Sequence, residues 1–212
     1  MTRAVAFLLV TLALAVPAMA EPREDALKAV DDRADAMARR LAVRTLAARG
    51  TMADVPRLVQ ALRDPDRSVR LLAEAALWEI WSRSGDTEVD ALFANGVQEM
   101  NEGRWDDAVT TFTTIIRRKP EFAEGWNKRA TVYYLKGDYT KSLADCDEVM
   151  KRNPLHYGAL SGYGMIYGQL DQPMRALEFY EQALGVNPNL DGVRNAVEMI
   201  RNELIRQRRE SI

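Results

Sequence analysis

The stretch YGALSGYGMIYGQL, residues 157–170, holds four glycines. Gly162, Gly164 and Gly168 read G-x-G-x-x-x-G, one residue away from the turn that cradles a dinucleotide pyrophosphate on a helix N-terminus. Two neighbours also invite chemistry: His156 and Cys146 are the only histidine and the only cysteine of the chain. A phosphate cradle needs a strand before it and a helix opening at its last glycine. Here a helical pattern, a turn and Pro154 come first, and no alternation of strand and helix occurs. His156 has no Ser, Cys or Asp at the spacing of a triad. One His and one Cys cannot hold zinc without several carboxylates in unusual geometry. The acids sit on helix surfaces, so the sequence predicts no catalytic residue, no metal, no cofactor and no enzyme.

The chain has 212 residues, and its first twenty stand apart. MTRAVAFLLVTLALAVPAMA has one early cation (Arg3), an apolar run from Ala4 to Val16, then Pro17 and Ala18-Met19-Ala20. That is the layout of a secretory signal peptide; an uncleaved anchor is the alternative, although the run is shorter than the roughly 20 residues that span a bilayer. No Cys lies near the cleavage point to carry a lipid. The expectation is export to a periplasm or the exterior, with no stable membrane insertion of the mature chain. Setting residues 1–20 aside removes Arg3 alone among the charges and leaves 28 cations against 31 acids. Such a balance offers no concentrated basic face, so no nucleic-acid partner is expected. A single Cys excludes an internal disulfide.

What must position these residues is an internal period. Pro120, Pro154 and Pro188 are 34 apart, and the same step links Gly96, Ala130 and Gly164, then Ala108, Ser142 and Ala176, then Phe112, Cys146 and Tyr180, then Leu92, Trp126 and Leu160. Thirty-four residues hold two helices and two tight turns, a unit that buries its apolar faces only by stacking. The small columns let paired helices approach, and the aromatic ones fill the space beside them. Gly103 and Gly137 supply a positive φ between the helices, where Asp171 is less suited. Each proline closes the second helix. These residues resemble the tetratricopeptide repeat, whose pattern stands in the middle unit as Trp126, Ala130, Tyr133, Gly137, Tyr139, Ser142 and Pro154. The resemblance covers Val89–Leu190; Asn95 and Glu99 depart from it in the first unit and Pro173 in the third.

In that register Tyr157–Leu170 is the first helix of the third unit. Gly164 falls on the packing side, whereas Gly158 and Gly162 point to the inner face with Ser161, Met165 and Gln169. A mid-helix glycine costs on the order of 0.8–1 kcal/mol relative to alanine. Two readings stand: something comes close to that backbone, or the glycines are tolerated in a helix held by its neighbours. The equivalent inner residues are Asp90, Phe93, Ala94, Val97 and Asn101 in unit one, and Glu124, Asn127, Lys128, Thr131 and Leu135 in unit two. The predicted peptide groove is Phe93, Val97, Asn101, Asn127, Lys128, Thr131, Ser161, Gly162, Met165 and Gln169. Family members that grip a C-terminal carboxylate use Lys, Arg and Asn across three units. Only Asn127 and Lys128 match here, so that clamp is not expected.

Residues 21–50 are helical by composition and closed by Gly50. Asp54 with Pro56 starts a further helix, Asp64-Pro65-Asp66 turns, and Val69, Leu72, Ala73, Ala76, Leu77 and Ile80 form one helical stripe. Asp64, Pro65, Asp66, Val69, Arg70, Ala73, Ala76 and Leu77 resemble a HEAT-type repeat. Leu71, Trp78 and Trp81 make a second apolar side, expected against residues 25–49 and the first tetratricopeptide helix; an exposed Trp patch for a partner is the alternative. Residues 191–210 read as a capping helix, with Val193, Val197, Ile200 and Leu204 inward, or as a basic tail. The expected fold is all-α: a right-handed α-solenoid with a HEAT-like region (21–86), three units (89–122, 123–156, 157–190) and a cap (191–212). The expected function is an exported, non-catalytic scaffold or adaptor that binds a protein or peptide in its concave groove. The alternative is a self-associating structural component of the cell envelope, joined through Trp78 and Trp81 or an array end. The sequence does not set the oligomeric state.

Overall fold

The structure is a computed structural model and describes residues 21–31 and 35–210; the predicted leader lies outside them. Among the described residues every regular element is a helix: α1 (Glu21–Ala29), α2 (Ala36–Arg49), a 3₁₀ turn (Met52–Asp54), α3 (Val55–Ala61), α4 (Arg67–Trp81), α5 (Thr87–Asn101), α6 (Trp105–Arg118), α7 (Ala123–Leu135), α8 (Tyr139–Arg152), α9 (Tyr157–Gln169), α10 (Pro173–Val186) and α11 (Asp191–Glu210). The glycine run is the helix α9, as its register requires.

Three hairpins, α5–α6, α7–α8 and α9–α10, stack so that α6 packs on α7, α8 on α9 and α10 on α11. One turn design repeats. Gly103, Gly137 and Asp171 take φ of 74°, 78° and 53°. The following N–H groups of Arg104, Asp138 and Gln172 each reach back 2.9 Å to the carbonyls of Glu99, Tyr133 and Tyr167. Asp171 therefore holds a side chain in a conformation that favours glycine.

The periodic columns are matched in size across each hairpin. A Cβ on Gly96 would lie 2.9 Å from the Phe112 ring, and one on Gly164 would collide with Tyr180. Where the second helix carries the smaller Cys146, the first can carry Ala130, and both are buried. Ala108, Ser142 and Ala176 are sealed in the same way, with the Ser142 hydroxyl donating to the Ala130 carbonyl at 2.7 Å. In the first unit Glu99 occupies an apolar position of the repeat. It is buried but accepts from Asn95 Nδ2 at 2.9 Å and Thr111 Oγ1 at 2.7 Å.

The N-terminal unit is α1 to α4. Residues 21–50 form two helices rather than one, because the Asp35 side chain accepts from Met37 N and starts α2 afresh. Arg39 and Asp64 form a buried bidentate pair at 2.6 and 3.0 Å. Asp66 pairs with Arg40 and caps α4 through Val69 N, which together hold its carboxyl down at about 2.

The placement of this unit departs from the sequence expectation. On the second apolar side of α4, Trp78 and Trp81 meet the start of the third repeat and not the first tetratricopeptide helix, whereas Leu71 stays 53% exposed. The Trp81 ring stacks on His156 at 4.4 Å and packs on Tyr157 at 5.1 Å, while Trp78 stands edge-on to both at 5.6 Å. Arg70 Nε donates to Asn189 Oδ1 at 3.1 Å, Asn189 Nδ2 to the Leu62 carbonyl at 2.7 Å, and Arg63 to the Val186 carbonyl at 3.1 Å. The unit thus lies across the loops that join successive repeats, and Leu155, Tyr157, Val186 and Leu190 complete its core. The turn after α4, with Gly85 at φ 77°, lets the chain leave α4 and enter α5 without stacking the two.

Candidate functional site

The inner face is built by α5, α7 and α9, the first helices of the three hairpins. Its predicted residues do not share one environment. Phe93 is buried between Phe112 and Phe122, at ring distances of 6.1 and 5.5 Å, so it is core and not groove floor. Val97 packs at the margin of the same cluster, and Asn101 is exposed at the end of α5. Asn127 is buried, with its Nδ2 held against both Glu124 oxygens, so it belongs to the scaffold more than to the open face. The Thr131 and Ser161 hydroxyls donate to the Asn127 and Tyr157 carbonyls of their own helices. Gly162 is half-buried, whereas Met165 (44% exposed), Leu135 (50%) and Gln169 are open.

One end of this face is closed by the protein itself. A Cβ on Gly158 would come within 2.7 Å of the Trp78 ring edge. The group that approaches the bare α9 backbone there is a side chain of α4. Lys128 lies over the Trp78 ring at 5.7 Å and 3.7 Å from Glu124. Behind Trp78 sits a polar arrangement that sequence reasoning missed. His156 is fully buried and caps α9: its Nδ1 accepts from Ala159 N at 3.0 Å, which leaves the proton on Nε2 to donate to Glu124 Oε1 at 2.5 Å. Glu124 is fully buried as well. Burial alone would raise its pKa, but the hydrogen bond from His156, with Lys128 and Asn127, outweighs it and holds the carboxyl below its ordinary range. The pair joins units two and three under two indoles. It is sealed from any substrate, so the geometry makes it structural. Its signal was an orphan histidine in an inter-repeat loop, 32 residues after an acid on the inner face.

Between α7 and α9 the open part of the face contains a cavity of about 120 Å³. Ala130, Tyr134, Cys146, Gly162, Met165 and Ile166 define it, and none of its lining residues is charged. It exists because unit two fills its column with Ala130 and Cys146 where the others use glycine and an aromatic ring, and because Gly162 adds nothing above them. A Cβ at Gly162 would meet only Cys146 Sγ, at 3.7 Å. Cys146 is buried, with its thiol pushed up to about 12 by desolvation first and then by Asp145 and Asp147, so it is an inert wall.

Known proteins carry the same repeat. Residues 93–154 and 157–190 each match a family profile described as tetratricopeptide repeat. A TPR repeat-containing protein of Rhizobium etli is 31% identical over 142 residues, covering 67% of this chain and 69% of that protein. The chain belongs to the tetratricopeptide-repeat family. Hsp70-Hsp90 organizing protein 2 of Arabidopsis thaliana is 25% identical over 149 residues, 68% of this tetratricopeptide protein but 25% of its own length. Among solved structures, the first TPR of Spaghetti bound to an HSP90 peptide superposes with a TM-score of 0.54 at 22% identity, covering 56% of this chain and 94% of that one. The P58(IPK) TPR domain superposes with 0.52 at 16% identity, covering 89% and 66%. These likenesses establish the solenoid fold of the tetratricopeptide units. No described helix is long and apolar enough to cross a membrane.

Proposed function

We propose that this tetratricopeptide protein is a non-catalytic adaptor that holds a segment of a partner protein against the open part of its inner face. The carrying observation is that Met165 stands exposed on the lining of an uncharged cavity and Leu135 stands exposed at the end of α7, on a surface whose other end is already packed. Relatives that organise Hsp70 and Hsp90, and a structural neighbour bound to an HSP90 peptide, support a peptide-binding scaffold. The working groove is Val97, Asn101, Thr131, Ser161, Gly162, Met165 and Gln169 with Leu135 added. Phe93, Asn127 and Lys128 serve the scaffold beneath it. The self-associating reading loses its tryptophans, which are engaged within the chain.

Residues 21–86 fit a HEAT-like unit, and residues 1–20 fit a leader for export. Partial similarity to the outer membrane assembly factor BamD of Caulobacter vibrioides, 24% over 119 residues and 35% of that protein, supports a place in the envelope. Capture of partners by residues 21–212 tests the groove against a Leu135→Asp, Met165→Asp variant. The variant is expected to lose partners that the parent retains, and equal capture removes the proposal. Intact mass of the chain from its host tests export, with loss of residues 1–20 expected.

A further inference from the structure

Resting on that groove, we infer that the partner segment is uncharged and apolar and seats one aliphatic side chain in the cavity between α7 and α9. The cavity, about 120 Å³, approaches the size that accepts a benzene-sized solute; Ala130, Tyr134, Cys146, Met165 and Ile166 make most of its walls, and Asn127, Thr131 and Ser142 add neutral polar groups. No lining residue is charged, so a carboxylate or ammonium placed there would lose its hydration without a partner. The inner-face cation at its edge, Lys128, is committed to Glu124 and to the Trp78 ring. An acidic tail therefore meets no free cation at this site, whereas a Leu, Ile, Val or Met side chain meets an uncharged, largely apolar cavity. Gly162 keeps the mouth open: any side chain there projects into the cavity, with Cys146 Sγ as its first contact. Thr131 and Gln169, exposed on either side, flank the incoming backbone.

The test is selection of phage-displayed random dodecapeptides on residues 21–212, followed by titration of synthetic versions and of the acidic peptide SRMEEVD, read by anisotropy and by the Met165 methyl resonance. Recovered peptides are expected to share one aliphatic position and carry no net negative charge. Changing that residue to Ala or Asp should weaken binding about tenfold or more. A graded series, Gly162→Ala, Gly162→Val and Gly162→Leu, should weaken it progressively as the cavity fills. The alanine variant adds only an ordinary contact, so the comparison survives if the leucine variant misfolds. Peptides lost with Leu135→Asp but indifferent to the whole Gly162 series, or a preference for SRMEEVD, would overturn this inference and leave the groove standing. No recovery, or recovery indifferent to both Leu135→Asp and the Gly162 series, would overturn both.

Discussion

At the residue scale, the buried Glu124–His156 pair makes the sharpest demand on the chain. Both side chains are fully enclosed: Glu124 has His156, Asn127 and the Lys128 charge in place of water, and His156 has Glu124 and the Ala159 N–H. His156→Ala leaves a carboxylate inside without its main donor, and the expected loss is about 3–5 kcal/mol in urea unfolding. Glu124→Gln keeps an acceptor for Nε2–H and removes the charge, so it should cost less. The pH dependence follows from the depressed carboxyl. Its folded pKa lies below the ordinary 4.5, so its contribution is complete above that value and is lost as pH falls through the folded one. Urea midpoints should fall in acid below about pH 4.5 for the parent. They should fall less steeply for Glu124→Gln; parallel curves would show that other carboxylates carry the effect.

At the element scale, the hairpins were legible because each constraint on them is local and repeats every 34 residues. A turn needs a positive φ, a helix pair needs a small residue opposite a large one, and proline closes each unit. Asp171 is the misfit, as its sequence column implied. Asp171→Gly relieves a strained φ of 53° and should raise stability by about 0.5–1 kcal/mol once the added chain entropy of glycine is counted. Thermal melts decide this, and no gain would mean that the Asp side chain already compensates. The inner face was only half legible. A helical wheel places a residue on a side but not at a depth, so Phe93 was assigned to a surface that it supports from within. For Gly158 the sequence left open whether something comes close or the glycine is merely tolerated; the structure shows close approach, by a Trp78 that is distant in sequence. Gly158→Val should displace Trp78 and cost about 1–3 kcal/mol, with a red-shifted indole emission as the local sign.

At the scale of the whole molecule, the docking of α4 could not be read, because it depends on pairings 119 to 127 residues apart that no period announces. Both halves of the contact were visible separately: an α4 that is apolar on two sides, and an aromatic start to α9. Their meeting packs the N-terminal unit against the repeats, and the two are expected to unfold together. A double-mutant cycle on Trp81→Ala and Tyr157→Ala, whose rings lie 5.1 Å apart, should give a coupling of about 0.5–3 kcal/mol. Additive losses, or two separate unfolding transitions, would show independent blocks.

Stacked helical arrays ordinarily behave like springs, since each turn grips only its neighbours and the ends can peel away. Here Arg63, Arg70 and Leu62 strap the far coil to the opening of the chain, near Val186 and Asn189. A change of pitch at the third unit would have to break those bonds, so a docking segment is expected to meet a fixed curve there.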